Sequence, residues 1–305
     1  MKYLLTGGAG FIGSNLVEYL LEKESDVLVI DNLTTGNKEN LKGFEDKIEF
    51  IQASSGECLN IPQIKDIDGI FHLGMPSSSP LYHNDHNIFG QAINDFIAIL
   101  DLAKRENCKV VFASTSSIYN GNPLPWKEDM PVFVKDFYSE ARYFMERLAF
   151  MYNNHWEVDF VGLRLASVFG PKERNKKRLA NMVSQILWWI LDDKSPILYG
   201  DGTQTRDSIY VKDVVRAFLI AMESNVEADI FNVGCGENKT LNEITQIICQ
   251  ILGKNIKPEY QKVPIKNYIA NQLADTTKAK NILGFIAQYS LDQGIKELIA
   301  YEKQK

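Results

Sequence analysis

The segment Tyr138-Ser-Glu-Ala-Arg142 sets a phenol and a guanidinium four residues apart, which on a helix puts both on one face. A phenol with an ordinary pKa of about 10 is a poor base near neutrality. A cation about 6 Å away, at an effective dielectric of about 20, favours the phenolate by about 3 kcal/mol. That is enough for a proton shuttle. Upstream, the apolar run Val110-Val-Phe-Ala113 ends in Ser114-Thr115-Ser116-Ser117, so hydroxyls gather where a strand would stop. A hydroxyl there can bond a substrate alcohol. A third cluster, Gly7-Gly-Ala-Gly10-Phe11-Ile12-Gly13, has the spacing of a phosphate-binding turn. Gly7 serves the tight turn, Gly10 lets backbone approach a pyrophosphate, and Gly13 permits close helix packing. Asp31 follows Gly13 by eighteen residues, placed to accept from the adenosine ribose hydroxyls and to repel a 2′-phosphate. The pattern predicts NAD rather than NADP. Asn32, Thr35 and Gly36 lie in the loop that would border the adenosine.

Positioning these groups requires alternating strands and helices. Residues 2–6, 27–30, 48–52, 69–73, 109–113 and 158–163 are short apolar runs expected to be buried strands, and helical spacing covers 11–21, 87–106 and 138–153. The alternation gives an α/β fold, a doubly wound parallel sheet with helices on both faces. Ligands bind at the carboxyl edge of such sheets, where Gly7, Asp31 and Thr115 all fall. After Gly170-Pro171 the pattern changes to a basic stretch at 172–178, a helix carrying Trp188 and Trp189, and helices near 211–223 and 240–252, with few parallel-strand signals. The expected division is a dinucleotide-binding domain at 1–165, with a later return near 207–231, and a smaller, interleaved α/β substrate domain formed mainly by 166–305.

Composition narrows the function classes. Hydrophobic residues at 45% and charged residues at 24% exclude a disordered or fibrous chain, and a net charge of −6 argues against a sequence-independent hold on nucleic acid. The longest uncharged apolar stretch, Ile186 to Leu191, is far short of a membrane span. No signal-peptide core precedes Gly7, so a cytoplasmic address is expected. Cys58, Cys108, Cys235 and Cys249 form no metal-binding pair and are read as reduced, mostly core residues. His72 is read as a packed strand residue, and His83, Asp85 and His86 do not amount to a metal site. The basic residues of 172–178 could meet a diphosphate, but a solvated loop is the favoured reading, and Trp188 and Trp189 are read as helix core.

In this order, the motifs resemble those of the extended short-chain dehydrogenase/reductase family, in its nucleotide-sugar epimerase/dehydratase branch. The resemblance runs through Thr6 to Gly13, Phe71-His-Leu-Gly74, Asn87-Ile-Phe-Gly90, Ser114 to Tyr119, Tyr138 to Arg142, Leu163-Arg164, Gly170-Pro171, Gly202 to Asp207, Tyr210 to Asp213 and Asn232-Val-Gly234. It implies a Rossmann domain, bound NAD, a nucleotide-diphosphate sugar as substrate and a homodimer formed through helices 87–106 and 138–153. Thr115, Tyr138 and Arg142 match the catalytic positions, and Tyr138 and Arg142 also match cofactor contacts. Ser54, Ser55, Leu73, Gly74, Met75 and Asn87 match further cofactor positions. Ser77, Thr115, Ser167 and Arg206 match substrate contacts, Arg206 being suited to a diphosphate. Arg142 stands where the family has lysine, Ser54 where it has aspartate and Ser167 where it has asparagine. Ser116-Ser117 replaces the Asp-Glu pair of the dehydratases, which argues against dehydration. The implied reaction is redox epimerisation of a nucleotide sugar through a 4-keto intermediate. A sugar-nucleotide dehydrogenase, reductase or decarboxylase and a non-catalytic NAD sensor are its alternatives.

Overall fold

The structure is a computed structural model that describes residues 1–263 and 268–304. In chain order its elements are β1 (Lys2–Thr6), α1 (Phe11–Glu22), β2 (Asp26–Ile30), β3 (Ile48–Ile51), β4 (Gly69–His72), α2 (Ser79–Asn84), α3 (Asn87–Glu106), β5 (Lys109–Thr115), α4 (Phe137–Trp156) and β6 (Phe160–Leu165). There follow β7 (Ser167–Phe169), α5 (Met182–Leu191), β8 (Ile197–Tyr199), β9 (Thr205–Arg206), β10 (Ser208–Tyr210), α6 (Val211–Glu223), β11 (Ala228–Val233), β12 (Lys239–Thr240), α7 (Leu241–Leu252), β13 (Glu259–Gln261) and α8 (Leu291–Glu302).

Seven strands form one sheet in the order β11-β6-β5-β4-β1-β2-β3, every pair parallel. Parallel strands are covered on both faces, so successive apolar residues serve opposite cores. Leu5, Val29, Phe71 and Val111 pack with Leu16, Leu20, Val214 and Phe218 of α1 and α6. Their neighbours Leu4, Leu28, Ile70 and Val110 pack with Phe96, Ile99, Met145 and Ala149 of α3 and α4. The two long helices end where Asn107 and Glu157 adopt left-handed backbone, at φ of 52° and 55°. The α4 N-terminus is capped by Asp136, whose Oδ1 accepts from the Ser139 N–H at 3.1 Å.

The second half is richer in parallel pairing than the sequence suggests. β11 completes the main sheet beside β6, β10 pairs in parallel with β7, and β13 with β8. In α5 the buried stripe is Val183, Ile186, Leu187 and Ile190, whereas Trp188 and Trp189 are only half-buried. The Arg174 guanidinium covers the Trp188 ring, 5.0 Å from its centroid. The aliphatic residues hold the core positions that were expected of the tryptophans. Cys58 and Cys249 are buried and all four thiols are free. His72 is fully buried, its Nδ1 2.8 Å from Thr6 Oγ1. Burial, with the Arg142 charge second, pushes its pKa down to about 3.

One polar cluster joins α4 to the sheet. Arg164 of β6 donates through Nε and Nη2 to Glu146 Oε1 and Oε2 of α4, at 2.9 and 2.7 Å. Ser114 Oγ donates to Glu146 Oε1 at 2.5 Å, and Arg164 Nη1 donates to the Tyr119 hydroxyl, which donates to Asn232 Oδ1 of β11 at 2.9 Å. Burial by itself lowers the Arg164 pKa; the Glu146 carboxylate outweighs it and the net shift is upward. Breaking one member of such a pair strands a buried charge. Arg164→Met is expected to cost about 3–5 kcal/mol in urea unfolding, with much of that recovered in the Glu146→Leu/Arg164→Met double variant. A single variant within about 1 kcal/mol of the parent would mean that the pair carries no such strain.

Candidate active site

The carboxyl ends of β1, β2, β4 and β5 and the chain after β6 border a cleft of about 600 Å³. Its floor is the glycine turn. Gly7 has φ of 72° and donates its N–H to Ile30 O at 2.8 Å; a Cβ there would stand 2.7 Å from the Leu73–Gly74 backbone. A Cβ on Gly13 would stand 2.1 Å from Gly7 O. The turn thus closes on itself without room for side chains, and the freed space lies over the α1 N-terminus. Gly10 caps that helix, its first turn contains no acidic residue, and Gly10, Phe11, Ile12 and Gly13 line the cleft. The first N–H groups of a helix lack intrahelical partners and carry its positive end, which suits a phosphate.

Asp31 is buried behind this turn, accepting from the Ala9 N–H at 2.9 Å and the Leu33 N–H at 2.8 Å. Burial raises its pKa, and the two N–H donors oppose the rise. Asn32, Thr34 and Thr35 line the cleft beside it, while Gly36 lies against the carboxylate, a Cβ there meeting Asp31 Oδ1 at 2.7 Å. Ser55, Leu73, Gly74, Met75 and Ser77 also line the cleft. Thr6 Oγ1 accepts from the Gly74 N–H at 3.0 Å and so fixes the strand end. Ser54 stands one layer back, donating to Asp95 Oδ2 at 2.9 Å, and it is Asp95 of α3 that reaches the cleft. Asp95 sits on the stripe of Ala92, Phe96 and Ile99, and a carboxylate at an apolar position was the signal available for it. Asn87 is exposed at the start of α3, with Ile88, Gln91 and Ala92 facing the cleft instead.

Thr115, Tyr138 and Arg142 line the same cleft. The Arg142 guanidinium lies over the Tyr138 ring, 4.9 Å from its centroid, and donates to Pro76 O at 2.7 Å and weakly to the Tyr82 hydroxyl at 3.5 Å. It therefore stacks on the aromatic face and clamps the chain after β4. Thr115 belongs to a chain of hydroxyls that the sequence did not reveal. Its Oγ1 is 2.7 Å from Ser117 Oγ, Ser117 Oγ is 3.1 Å from Ser139 Oγ, and Ser139 Oγ is 2.9 Å from Asp136 Oδ2. A carboxylate only accepts, so Asp136 takes the Ser139 hydroxyl at the inner end of the chain, and Thr115 Oγ1 also accepts from the Ser117 N–H at 3.2 Å. Thr115 is thus held from its inner side by Ser117 while it lines the cleft. Ser116 accepts from Gln272 Nε2 at 2.8 Å.

Ser167 lines the cleft and accepts from Asn181 Nδ2 at 2.9 Å. Arg206 is not among the described lining residues: it donates to Thr205 O at 2.7 Å and stacks on Tyr268, 5.2 Å from the ring centroid. Lys176 and Glu173, from the stretch expected to be solvated, do line the cleft. Among the described residues no group of His, Cys, Asp or Glu could hold a metal, and no helix is long and apolar enough to cross a membrane.

A family model described as the NAD dependent epimerase/dehydratase family matches residues 3–234. A putative UDP-glucose 4-epimerase of Methanocaldococcus jannaschii is 34% identical over 98% of both chains. UDP-glucuronic acid decarboxylase 6 of Arabidopsis thaliana is 30% identical, over 97% of this chain and 87% of its own length. The crystal structure of UDP-glucose 4-epimerase from Thermotoga maritima with UDP-glucose superposes with a TM-score of 0.93 at 29% identity, covering 100% of this chain and 99% of that one.

The closed glycine turn, the acid-free helix end and buried Asp31 fit a dinucleotide with a free ribose 2′-hydroxyl. Asp31→Asn keeps the shape and removes the charge that repels a 2′-phosphate. The ratio of NADP to NAD dissociation constants, measured by fluorescence titration, is expected to fall at least about tenfold. An unchanged ratio would show that Asp31 does not read the ribose.

Proposed function

The chain belongs to the NAD-dependent epimerase/dehydratase family, and from that premise we propose that it epimerises a nucleotide-activated sugar, as a UDP-hexose 4-epimerase does, through a transient 4-keto intermediate. The observation that carries this reading is the convergence of Thr115 and Tyr138 on a cleft that also holds the glycine turn. NAD, when bound, supplies a hydride acceptor that becomes the donor of the return step.

The remaining work falls to side chains. Thr115, held by Ser117, hydrogen-bonds the C4 oxygen of the sugar and aligns the hydroxyl, whose proton is left facing Tyr138. Tyr138 takes that proton as the carbonyl forms and returns it when the opposite face is reduced. Arg142, held on Pro76 O, keeps the phenol ring against the cleft wall. Gly7, Gly10, Phe11, Ile12, Gly13 and Asp31 hold the cofactor. Ser77 and Ser167 border the substrate end. Ser116 and Ser117, both engaged in hydrogen bonds, offer no carboxylate to remove water, which favours epimerisation over dehydration. Resemblance to a decarboxylase supports a second reading in which the 4-keto sugar loses carbon dioxide.

Purified protein carrying NAD is expected to interconvert a pair of UDP-hexoses, followed by NMR of the anomeric protons, without accumulating NADH. Tyr138→Phe is expected to lower kcat about 10²- to 10⁴-fold while retaining the cofactor. Inactivity across UDP, GDP and dTDP sugars would remove the epimerase reading, and carbon dioxide release from UDP-glucuronate would replace it with the second. A homodimer is part of the same proposal, supported by the exposed Phe144, Phe150 and Met151 along α4. A sedimentation mass of one chain would remove that part.

A further inference from the structure

Among the described residues lining the cleft there are two cations, Arg142 and Lys176, against the carboxylates of Asp31, Asp85, Asp95 and Glu173. Arg142 is committed to Pro76 O, Tyr82 and the Tyr138 ring. A dinucleotide brings two phosphate charges into this largely acidic cleft, and taking such charges out of water unpaired is costly. Lys176 is the lining cation left to meet them.

Its position is fixed from several sides. The chain after β7 turns back across α1, where Pro171 O accepts from Asn15 Nδ2 at 3.1 Å and Lys172 Nζ stands 2.7 Å from Glu18 Oε2. Asn175 ties the same stretch to the loop after β2, accepting from Asn37 Nδ2 at 3.2 Å and donating to Asn40 Oδ1 at 3.3 Å. Glu173 points inward and is 1% exposed, its two oxygens taken by the Asn181 N–H at 2.8 Å and the Ser184 hydroxyl at 2.6 Å. Lys176 follows at i+3, with Nζ 3.4 Å from Glu173 Oε1 and 5.6 Å from the centroid of the Phe11 ring. Phe11 is the first residue of α1. The ammonium group therefore stands beside the helix end whose N–H groups are unpaired and whose first turn carries no acid.

We propose that Lys176 is a ligand of the dinucleotide's pyrophosphate, carried across α1 by residues 171–176 and aimed by Glu173. The cofactor is then gripped from both halves of the chain: by backbone N–H groups from the first and by an ammonium group from the second. A point charge on a flexible stem suits this task, because it adds attraction without demanding a second fixed geometry.

The test compares Lys176→Met, Lys176→Arg and the parent by calorimetric titration of cofactor-stripped protein with NAD, ADP-ribose and adenosine, and of NAD-loaded protein with UDP. In Lys176→Met the affinity for NAD and ADP-ribose is expected to fall about tenfold or more, adenosine and UDP binding to stay within about twofold, and Lys176→Arg to restore most of the loss. If Lys176→Met fails to fold because Glu173 is stranded, the Glu173→Gln/Lys176→Met double variant removes the orphaned charge and must show the same loss. Undiminished NAD and ADP-ribose binding would overturn the proposal, as would a loss confined to UDP, which would assign the ammonium to the substrate's diphosphate instead. The UDP arm also keeps this result separate from whether the epimerase reading holds, since none of these titrations requires turnover.

Discussion

The buried ion pair between Glu146 and Arg164 decides where α4 can sit. Removing two charges from water costs several kcal/mol per ion, and the attraction between them repays that only when the remaining hydrogen-bonding capacity is also filled. Here it is filled by Ser114 from β5 and Tyr119 from the loop after it, so the pair can form in one register of α4 against the seam between β5 and β6. Tyr138 lies eight residues upstream on the same helix, about 12 Å along its axis. Once Glu146 is locked, the phenol is carried to the cleft that Thr115 lines from the end of β5.

The two ends of the cleft solve different problems. At the glycine-turn end the determinants are backbone groups and a buried carboxylate. At the tyrosine end they are side chains held by other side chains: Arg142 stacks on the ring it was expected to polarise, and Thr115 is linked through Ser117 and Ser139 to Asp136. The hydroxyl chain gives Asp136 a double task, since the same carboxylate caps α4 and anchors the inner end of the chain that reaches the cleft.

Features encoded within a few residues were legible in the sequence. The seven residues of the glycine turn, the position of Asp31 and the limits of α3 and α6 follow from local spacing and period, and the structure has α3 at 87–106 and α6 at 211–223 as the pattern predicts. The strand at 158–163 is displaced to 160–165, because periodicity locates a buried run better than its ends. Features that depend on distant partners were not legible. Lys176 reads as one cation in a solvated run until Glu173, Asn175 and Phe11 are seen to hold it. Asp95 reads as a blemish in an apolar stripe until Ser54 and Ser55 are found against it. Arg206, assigned by motif to a diphosphate, stacks on Tyr268, a residue more than sixty positions away that no local signal could pair with it.

The place of β11 at the sheet edge has a consequence for synthesis. β6 is complete at Leu165, yet its outer neighbour begins at Ala228, about sixty residues later. At ~5–20 residues per second, a ribosome leaves the outer edge of that strand unpaired for roughly 3–12 s, while β5 already stands on its other side. Nascent chains of this length therefore pass through a window in which an open, apolar strand can recruit a neighbouring chain or a chaperone before it meets its own.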